Sequence, residues 1–160
     1  MNYNEALSYI HSISWKGSVP GLAKTGNPEK SLKFVHIAGT NGKGSTAAML
    51  SSILEQGGLT VGLYTSPFIN RFNERIQVNH VCIGDEELAE LTEFIRPYAD
   101  SMDDSPTEFE LITVLAMEYF RRKACDIVVL EVGMGGELDS TNIIDTPEVA
   151  IITAMGYDHT

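Results

Sequence analysis

The sequence predicts an α/β protein with a mostly parallel sheet flanked by helices. Three short apolar runs, at residues 32–38, 60–64 and 127–132, have the length of strands and alternate along the chain with helical patterns. These runs are continuously apolar, which is typical of strands that are covered on both faces. With 160 residues, 43% of them hydrophobic, the chain is large enough for one domain with its own core.

Four segments are predicted to be helical. The first carries Tyr3, Leu7 and Ile10 on one face, and the second is stopped by a pair of glycines. The third is expected to begin at Asp85 as its N-cap, and the fourth at a capping box formed by Thr107 and Glu110. In chain order, the predicted helices cover residues 3–15, 43–56, 85–98 and 107–123.

Two further strands and the intervening loops complete the prediction. The strands are expected around residues 74–78 and 149–154, because both segments are apolar and bounded by turn-forming residues. Glycine, proline and acidic residues mark the loops. The principal predicted loops are residues 16–31, 39–44, 66–84, 99–106 and 133–142.

The charge of the chain excludes some classes of partner. Eleven basic residues against 22 acidic ones give a net charge of −11, which disfavours nucleic acid and anionic lipid as partners. An anionic ligand would need a local lysine, backbone N–H groups or a metal ion. No apolar run is long enough for a membrane span, and the N-terminus does not resemble a secretory signal. With Cys82 and Cys125 in no metal or redox spacing, we expect a cytoplasmic protein with reduced thiols.

A glycine-rich segment between a predicted strand and a predicted helix has the features of a phosphate-binding loop. It runs Gly39-Thr40-Asn41-Gly42-Lys43-Gly44-Ser45. Glycines allow several N–H groups to converge on a phosphate, and a lysine in the turn can contact the negatively charged phosphate oxygens. The match to the common pattern is not strict, because Ile37 stands where the first glycine belongs and Gly44 separates Lys43 from Ser45. The alternative is a glycine-rich turn with an incidental lysine.

Other polar residues follow predicted strands and should share the same edge of the sheet. Glu131 ends an apolar strand, as does the acid that phosphate-loop enzymes place beside magnesium. Ser66 could ligate magnesium, Phe68 could stack on a flat ligand, and His159 follows the last strand. Each has a plainer interpretation: a solvated strand end, a turn with a buried phenylalanine, and a structural or surface histidine.

Six ordered motifs together resemble the N-terminal ATPase domain of the folylpolyglutamate synthase and dihydrofolate synthase group of the Mur ligase family. They are GTNGKGS at 39–45, TSPF at 65–68, the segment 71–75, TEFE at 107–110, EVGMGGELDSTN at 131–142 and GYDHT at 156–160. The resemblance covers nearly the whole chain. It implies that residues 1–160 are the N-terminal part of the ATP-binding domain and that the sequence is truncated before a C-terminal glutamate-binding domain.

The resemblance implies an ATP-dependent amide ligase that adds L-glutamate to folate, to dihydropteroate or to both, through an acyl phosphate. ATP and Mg²⁺ are the implied cofactors, and the parent protein is expected to be monomeric. The 160 residues alone are expected to be inactive, because they offer no second substrate site. Two alternatives stay open: another Mur-type ligase acting on peptidoglycan precursors or similar polymers, and a non-catalytic nucleotide-binding fragment.

The resemblance also implies roles for individual residues. Lys43, Glu131 and His159 would be catalytic, and the loop from Ser66 to Arg75 would close over the folate. The ATP phosphates would be held by Thr40, Asn41, Gly42, Lys43, Gly44 and Ser45, and magnesium by Ser66, Glu131 and His159. The substrate would be bound by Phe68, Arg71, Thr107, Glu108, Phe109, Glu110, Leu138, Asp139 and Ser140.

Three positions depart from the family pattern as we know it. Glu137 stands where an arginine is common, which replaces a positive charge with a negative one near an anionic substrate. Ala154 stands where asparagine is expected, and Tyr157 where leucine is expected. These departures concern substrate preference, since none of them removes an expected phosphate or magnesium ligand.

Overall fold

The computed structural model describes residues 1–13, 25–103 and 105–156, which form a six-stranded sheet with four α-helices. No helix in these ranges is long and apolar enough to cross a membrane. Short 3₁₀ turns lie at Pro28–Ser31, Phe72–Arg75 and Ser140–Ile143. The helices are α1 (Tyr3–Ser12), α2 (Lys43–Gln56), α3 (Asp85–Asp100) and α4 (Glu108–Arg122). The strands are β1 (Phe34–Ala38), β2 (Val61–Tyr64), β3 (Ile76–Val78), β4 (Val81–Cys82), β5 (Ile127–Glu131) and β6 (Val149–Ile152).

The strand order across the sheet is β4-β3-β2-β5-β1-β6. The four strands β2, β5, β1 and β6 are parallel, whereas β3 and β4 form an antiparallel hairpin at one edge. Ile37 is in register with Glu131, and Tyr64 with Leu130, so three neighbouring strands end at the same level. The predicted fold class is confirmed, and β4 is a strand that the sequence did not predict.

Helices cover both faces of the sheet, as the continuous apolar strands predict. On one face α2 packs its Ala47 against a small cluster that includes Val35, Leu63 and Val129. On the other face α1, α3 and α4 enclose a larger cluster centred on residues such as Phe120. Full burial of each large apolar side chain contributes about 1.5–3 kcal/mol, so this double cover is the main source of stability.

The helix ends test two of the predictions. The capping box is confirmed, because the Glu110 N–H donates to Thr107 Oγ1 at 3.1 Å and the Thr107 N–H donates to Glu110 Oε2 at 2.6 Å. Asp85 as an N-cap was wrong: Gly84 occupies that position, and Asp85 Oδ1 instead accepts hydrogen bonds from Arg71 and Asn73. The first helix ends at Ser12 rather than at residue 15, and residues 14 and 15 lie outside the described ranges.

Candidate functional site

The turn between β1 and α2 is shaped by two glycines with positive φ, Gly39 at +132° and Gly42 at +85°. A Cβ at Gly39 would lie 2.1 Å from Thr153 Oγ1, so no side chain fits there. Gly42 is the N-cap of α2, and the first helical hydrogen bond runs from the Thr46 N–H to the Gly42 carbonyl at 2.9 Å. The preceding N–H groups therefore have no acceptor within the helix, which makes this end of α2 suited to bind an anion.

Lys43 brings a positive charge to this turn. It is the first residue of α2, and its Nζ donates to the Gly39 carbonyl at 2.8 Å and to the Thr40 carbonyl at 3.4 Å. The ammonium group is thus folded over the loop, held by neutral acceptors. A phosphate oxygen would be a stronger acceptor for it, because a full negative charge attracts the ammonium group more strongly than a neutral carbonyl does.

Two of the N–H groups that were expected to face phosphates are engaged elsewhere. The Thr40 and Asn41 N–H groups donate to the Ala154 carbonyl at 2.9 and 3.3 Å. The Thr40 hydroxyl also donates to the Gly156 carbonyl at 3.1 Å. The loop is therefore joined to the segment after β6, and these two N–H groups are not free to contact a phosphate in this arrangement. Since Ala154 contributes its backbone, its departure from the family pattern leaves these bonds in place.

Glu131 ends β5 beside the phosphate loop. Its side chain is only 4% exposed, and its Oε2 accepts a hydrogen bond from the Ser66 N–H at 3.2 Å. A Cβ built on Gly44 would lie 3.6 and 3.8 Å from the two carboxylate oxygens, which places the carboxylate at the start of α2. Burial raises the pKa of Glu131, and the Ser66 N–H and the Lys43 charge oppose that rise.

The residues at this edge fit a magnesium ion in their chemistry. Ser66 and Glu131 offer a hydroxyl and a carboxylate oxygen, the hard donors that Mg²⁺ prefers. The described ranges hold no group of three His, Cys, Asp or Glu side chains that could bind a metal by themselves. Mg²⁺ commonly takes one or two protein ligands together with phosphates and water, so two donors are adequate. The expected third ligand, His159, and also Tyr157 lie outside the described residues.

A cavity of about 1270 Å³ opens next to this edge. Its walls come from the start of α4, the end of α3 and the loop after β5, and Ser66 lies at its border with the phosphate loop. Glu137, one of the departures noted above, is exposed and also lines it. Seven of the nine expected substrate residues line this cavity: Thr107, Glu108, Phe109, Glu110, Leu138, Asp139 and Ser140.

The Phe109 ring forms a flat wall of the cavity. It lies so close to Gly133 that a Cβ there would be 2.6 Å from the ring tip. On another side its centroid is 5.9 Å from that of the buried Tyr64, at a tilt of 46°. Aromatic walls of this kind favour flat conjugated ligands.

One carboxylate organises the cavity loop, residues 133–142. Asp139 Oδ2 accepts from the Met134 N–H at 2.8 Å, and Oδ1 accepts from the Thr141 N–H at 2.9 Å and its hydroxyl at 2.6 Å. The same hydroxyl is 2.9 Å from Nε2 of His36 in β1. Since its one proton goes to Asp139, His36 Nε2 is the donor in this network. Asp139 therefore shapes the loop from within, and burial lowers the pKa of His36 while Asp139 opposes that shift.

Two of the nine expected substrate residues, Phe68 and Arg71, do not line the cavity. Arg71 is exposed and bonds Asp85 at 2.8 Å. The arginine that contacts a residue of the cavity lining is Arg75, whose Nη1 donates to Ser66 Oγ at 3.4 Å. His36 was also missed, because its partner Thr141 is 105 residues away and no local spacing reveals the pair.

Comparison with known proteins fixes the class of this one. Residues 37–160 match the family described as Mur ligase middle domain, which covers more than half of the chain. The chain belongs to the Mur ligase family. The resemblance that the six motifs carried is thereby confirmed.

Within this family, the chain is similar to folate-related synthases. It is 45% identical to the folylpolyglutamate synthase of Lacticaseibacillus casei, over 99% of this chain and 40% of that protein. It is 44% identical to the dihydrofolate synthase/folylpolyglutamate synthase of Bacillus subtilis, over 98% of this chain and 39% of that protein. The chain thus spans about 40% of the length of these curated relatives.

Solved structures agree with these relationships. A complex of FPGS with AMPPCP and folate matches all of this chain and 42% of that one, with a TM-score of 0.94 and 45% identity. An Escherichia coli protein in complex with DHPP and ADP matches 99% of this chain and 39% of that one, with a TM-score of 0.86 and 35% identity. The arrangement of strands and helices described above is therefore that of the folylpolyglutamate synthase fold.

Proposed function

We propose that the protein is an ATP-dependent ligase that joins L-glutamate to folate, to dihydropteroate or to both, through an acyl phosphate. The observation that carries this proposal is the position of Ser66. Its N–H donates to Glu131 beside the phosphate loop, and the same residue borders the cavity that Phe109 lines. A nucleotide at the loop and a carboxylate in the cavity would therefore meet at Ser66.

The chain's own residues would bind and position the reactants. The start of α2 and Lys43 would hold phosphate oxygens, since both present positive potential to one point. Glu131 and Ser66 would hold Mg²⁺ through oxygen. Bound MgATP would supply the phosphoryl group that converts an unreactive carboxylate into one with a leaving group. Catalysis of such a transfer rests on positioning and charge neutralisation, which are the properties this site offers.

The choice of a pterin-type substrate is supported by the cavity and by the relatives. The flat Phe109 wall suits a conjugated ring, and similar solved structures carry folate or DHPP. We also propose that residues 1–160 are the N-terminal part of the ATP-binding domain, with glutamate bound by a separate domain. For the whole protein we propose a monomer in the cytoplasm; the net charge of −11 on these 160 residues disfavours self-association.

The nucleotide part of the proposal is tested by calorimetric titration of this chain with AMPPCP, with and without Mg²⁺. Lys43→Ala should weaken binding by about tenfold or more, because it removes a charged contact to phosphate. Lys33→Ala removes an equal charge from an exposed residue before β1 and should leave binding unchanged. Binding that ignores both Mg²⁺ and the Lys43 substitution would contradict the proposal.

The ligase part is tested on the whole protein that carries this chain. Release of ADP should require L-glutamate together with pteroate or folate, and the product should be one glutamate heavier by mass spectrometry. Activity on a peptidoglycan precursor instead of a pterin would favour another Mur-type ligase. Loss of all ATP-dependent ligation in a folded whole protein would favour a non-catalytic role.

A further inference from the structure

The cavity has an excess of negative charge that a carboxylate ligand must overcome. Five acidic residues line it, and the described part of its lining contains no lysine or arginine. A ligand carboxylate that approaches Ser66 also approaches the buried Glu131. Like charges disfavour this approach, so a cation must lie close by for an anionic substrate to bind. The five acidic lining residues are Glu29, Glu108, Glu110, Glu137 and Asp139.

Arg75 is the arginine best placed to meet this need, since the other nearby cation, Lys43, is bonded to carbonyls of the phosphate loop. It ends the 3₁₀ turn before β3, and its Nη1 donates to the hydroxyl of Ser66, the residue that borders both sites. The donor–acceptor distance of 3.4 Å is long for a hydrogen bond, so the hydroxyl is a weak partner. The guanidinium lies 5.2 Å from the Phe68 ring centroid and 5.8 Å from that of Phe72, within the range of cation–π contacts. The two rings fix its position without neutralising its charge.

Arg75 is also unusual among the arginines of the chain. In the described ranges Arg71, Arg96, Arg121 and Arg122 each form an ion pair with a carboxylate, whereas Arg75 forms none. Its Nε is buried and has no hydrogen-bond acceptor there. A buried donor without an acceptor is costly, and in a chain with 22 acidic residues an unpaired arginine is unexpected. The expected partner is therefore a ligand.

We propose that Arg75 binds the carboxylate of the substrate, the group to be activated, at the Ser66 border of the cavity. The inference rests on the proposed function and adds the residue that recognises the reacting carboxylate. A guanidinium suits this task because its planar fork matches the two oxygens of a carboxylate. Arg75 would also offset the repulsion between that carboxylate and Glu131.

The experiment compares two ligands that differ only in charge, pteroate and its neutral carboxamide. Calorimetric titration measures both with the wild-type chain and with Arg75→Gln, Arg75→Lys and Arg96→Gln. Arg75→Gln should weaken pteroate binding by about tenfold or more and change carboxamide binding by less than about twofold. Arg75→Lys keeps the charge but loses the planar fork, so its affinity for pteroate should lie between those of the wild type and Arg75→Gln. Arg96→Gln removes an exposed arginine paired with Asp100 and should change neither affinity.

Each contrary result has a distinct meaning. Equal weakening of both ligands by Arg75→Gln would overturn the inference and assign Arg75 to supporting Phe68 and Phe72. Weaker Mg²⁺-dependent AMPPCP binding, with pteroate unaffected, would assign the guanidinium to the nucleotide and also overturn it. If the wild-type chain binds neither pteroate nor its carboxamide, the proposed pterin site is wrong and the inference falls with it.

Discussion

The phosphate loop and the cavity loop are held in shape by different means. Gly39 and Gly42 set the first through positive φ angles, and backbone bonds to Ala154 fix it against the neighbouring segment. The second is held by one side chain, Asp139, which accepts three hydrogen bonds from Met134 and Thr141. The first loop therefore depends on backbone conformation, and the second on a side-chain network that reaches His36. Substitutions should accordingly damage the two loops in different ways.

The largest effect is expected from Gly39→Ala. Its Cβ would lie 2.1 Å from Thr153 Oγ1, and Thr153 is bonded to the Ala38 carbonyl through both its N–H and its hydroxyl. Because backbone strain adds to this clash, we expect a loss of about 3 kcal/mol in the free energy of unfolding, measured with urea. Gly42→Ala is the control: nothing lies within 4 Å of its Cβ, so strain alone should cost about 1 kcal/mol. Equal losses of stability in the two variants would show that Thr153 moves away from the added methyl group at little cost.

Gly133→Ala should affect binding more than stability. Its Cβ would lie 2.6 Å from Phe109 Cζ, but the ring can turn toward the open cavity. We expect a stability loss of about 1 kcal/mol and pteroate affinity lower by about tenfold, both measured on the same preparation. Gly136→Ala meets no atom within 4 Å and should leave the affinity unchanged. A large loss of stability with affinity intact would mean that the two loops respond alike.

Glu131→Gln should stabilise the ligand-free chain while removing function. Burial raises the pKa of Glu131, so its ionised form at pH 7 costs folding free energy, and the substitution should add about 1 kcal/mol of stability. As the pH falls through the raised pKa toward 4.5, the folded wild type takes up a proton first. The advantage of the variant should therefore shrink across that window. Mg²⁺-dependent AMPPCP binding should be lost, and a less stable variant at pH 7 would contradict the argument.

The smallest effect is expected at His36. Because burial lowers its pKa below 6.5, the unfolded chain binds a proton more readily as the pH falls below that value. The stability of the wild type should therefore decrease on acidification until the folded histidine also protonates. His36→Gln keeps a donor for Thr141 but should reduce this pH dependence, by less than about 1 kcal/mol in urea titrations at several pH values. His80→Gln, at an exposed histidine, is the control, and an unchanged slope in His36→Gln would exclude the contact of His36 with Thr141 as its source.

The contrast between the loops also explains what the sequence could predict. The phosphate loop is a local pattern of glycines and a lysine after an apolar strand, so both its position and its chemistry could be predicted from the sequence. Glu131 was found because a parallel sheet brings strand ends to one edge. The bonds of Asp139 to Met134 and Thr141 are also local, but the link from Thr141 to His36 joins residues 105 positions apart, and no local pattern encodes that contact.

The same limit applies to the arginines and to the edge hairpin. Arg71 and Arg75 are alike in sequence, and only the structure shows that Arg71 pairs with Asp85 whereas Arg75 contacts Ser66. That contact also removes Asp85 from the cap position that its sequence favours. Strand β4 has two exposed residues and follows a turn in which Asn79 and His80 both have positive φ. Its pairing depends on β3 being in place, because a strand of two residues is too short to show an alternation of apolar and polar residues.

The bonds from Thr40 and Asn41 to the Ala154 carbonyl have a consequence for the energetics of the whole site. They make residues 153–156 a thermodynamic partner of the phosphate loop, since a ligand that recruits those N–H groups must first displace the carbonyl. The coupling is reciprocal. If such a ligand promotes release of Ala154 by a given factor, then release of Ala154 raises the affinity of the loop for that ligand by the same factor. The position of this segment is thus coupled to occupancy of the loop by any ligand that uses those two N–H groups.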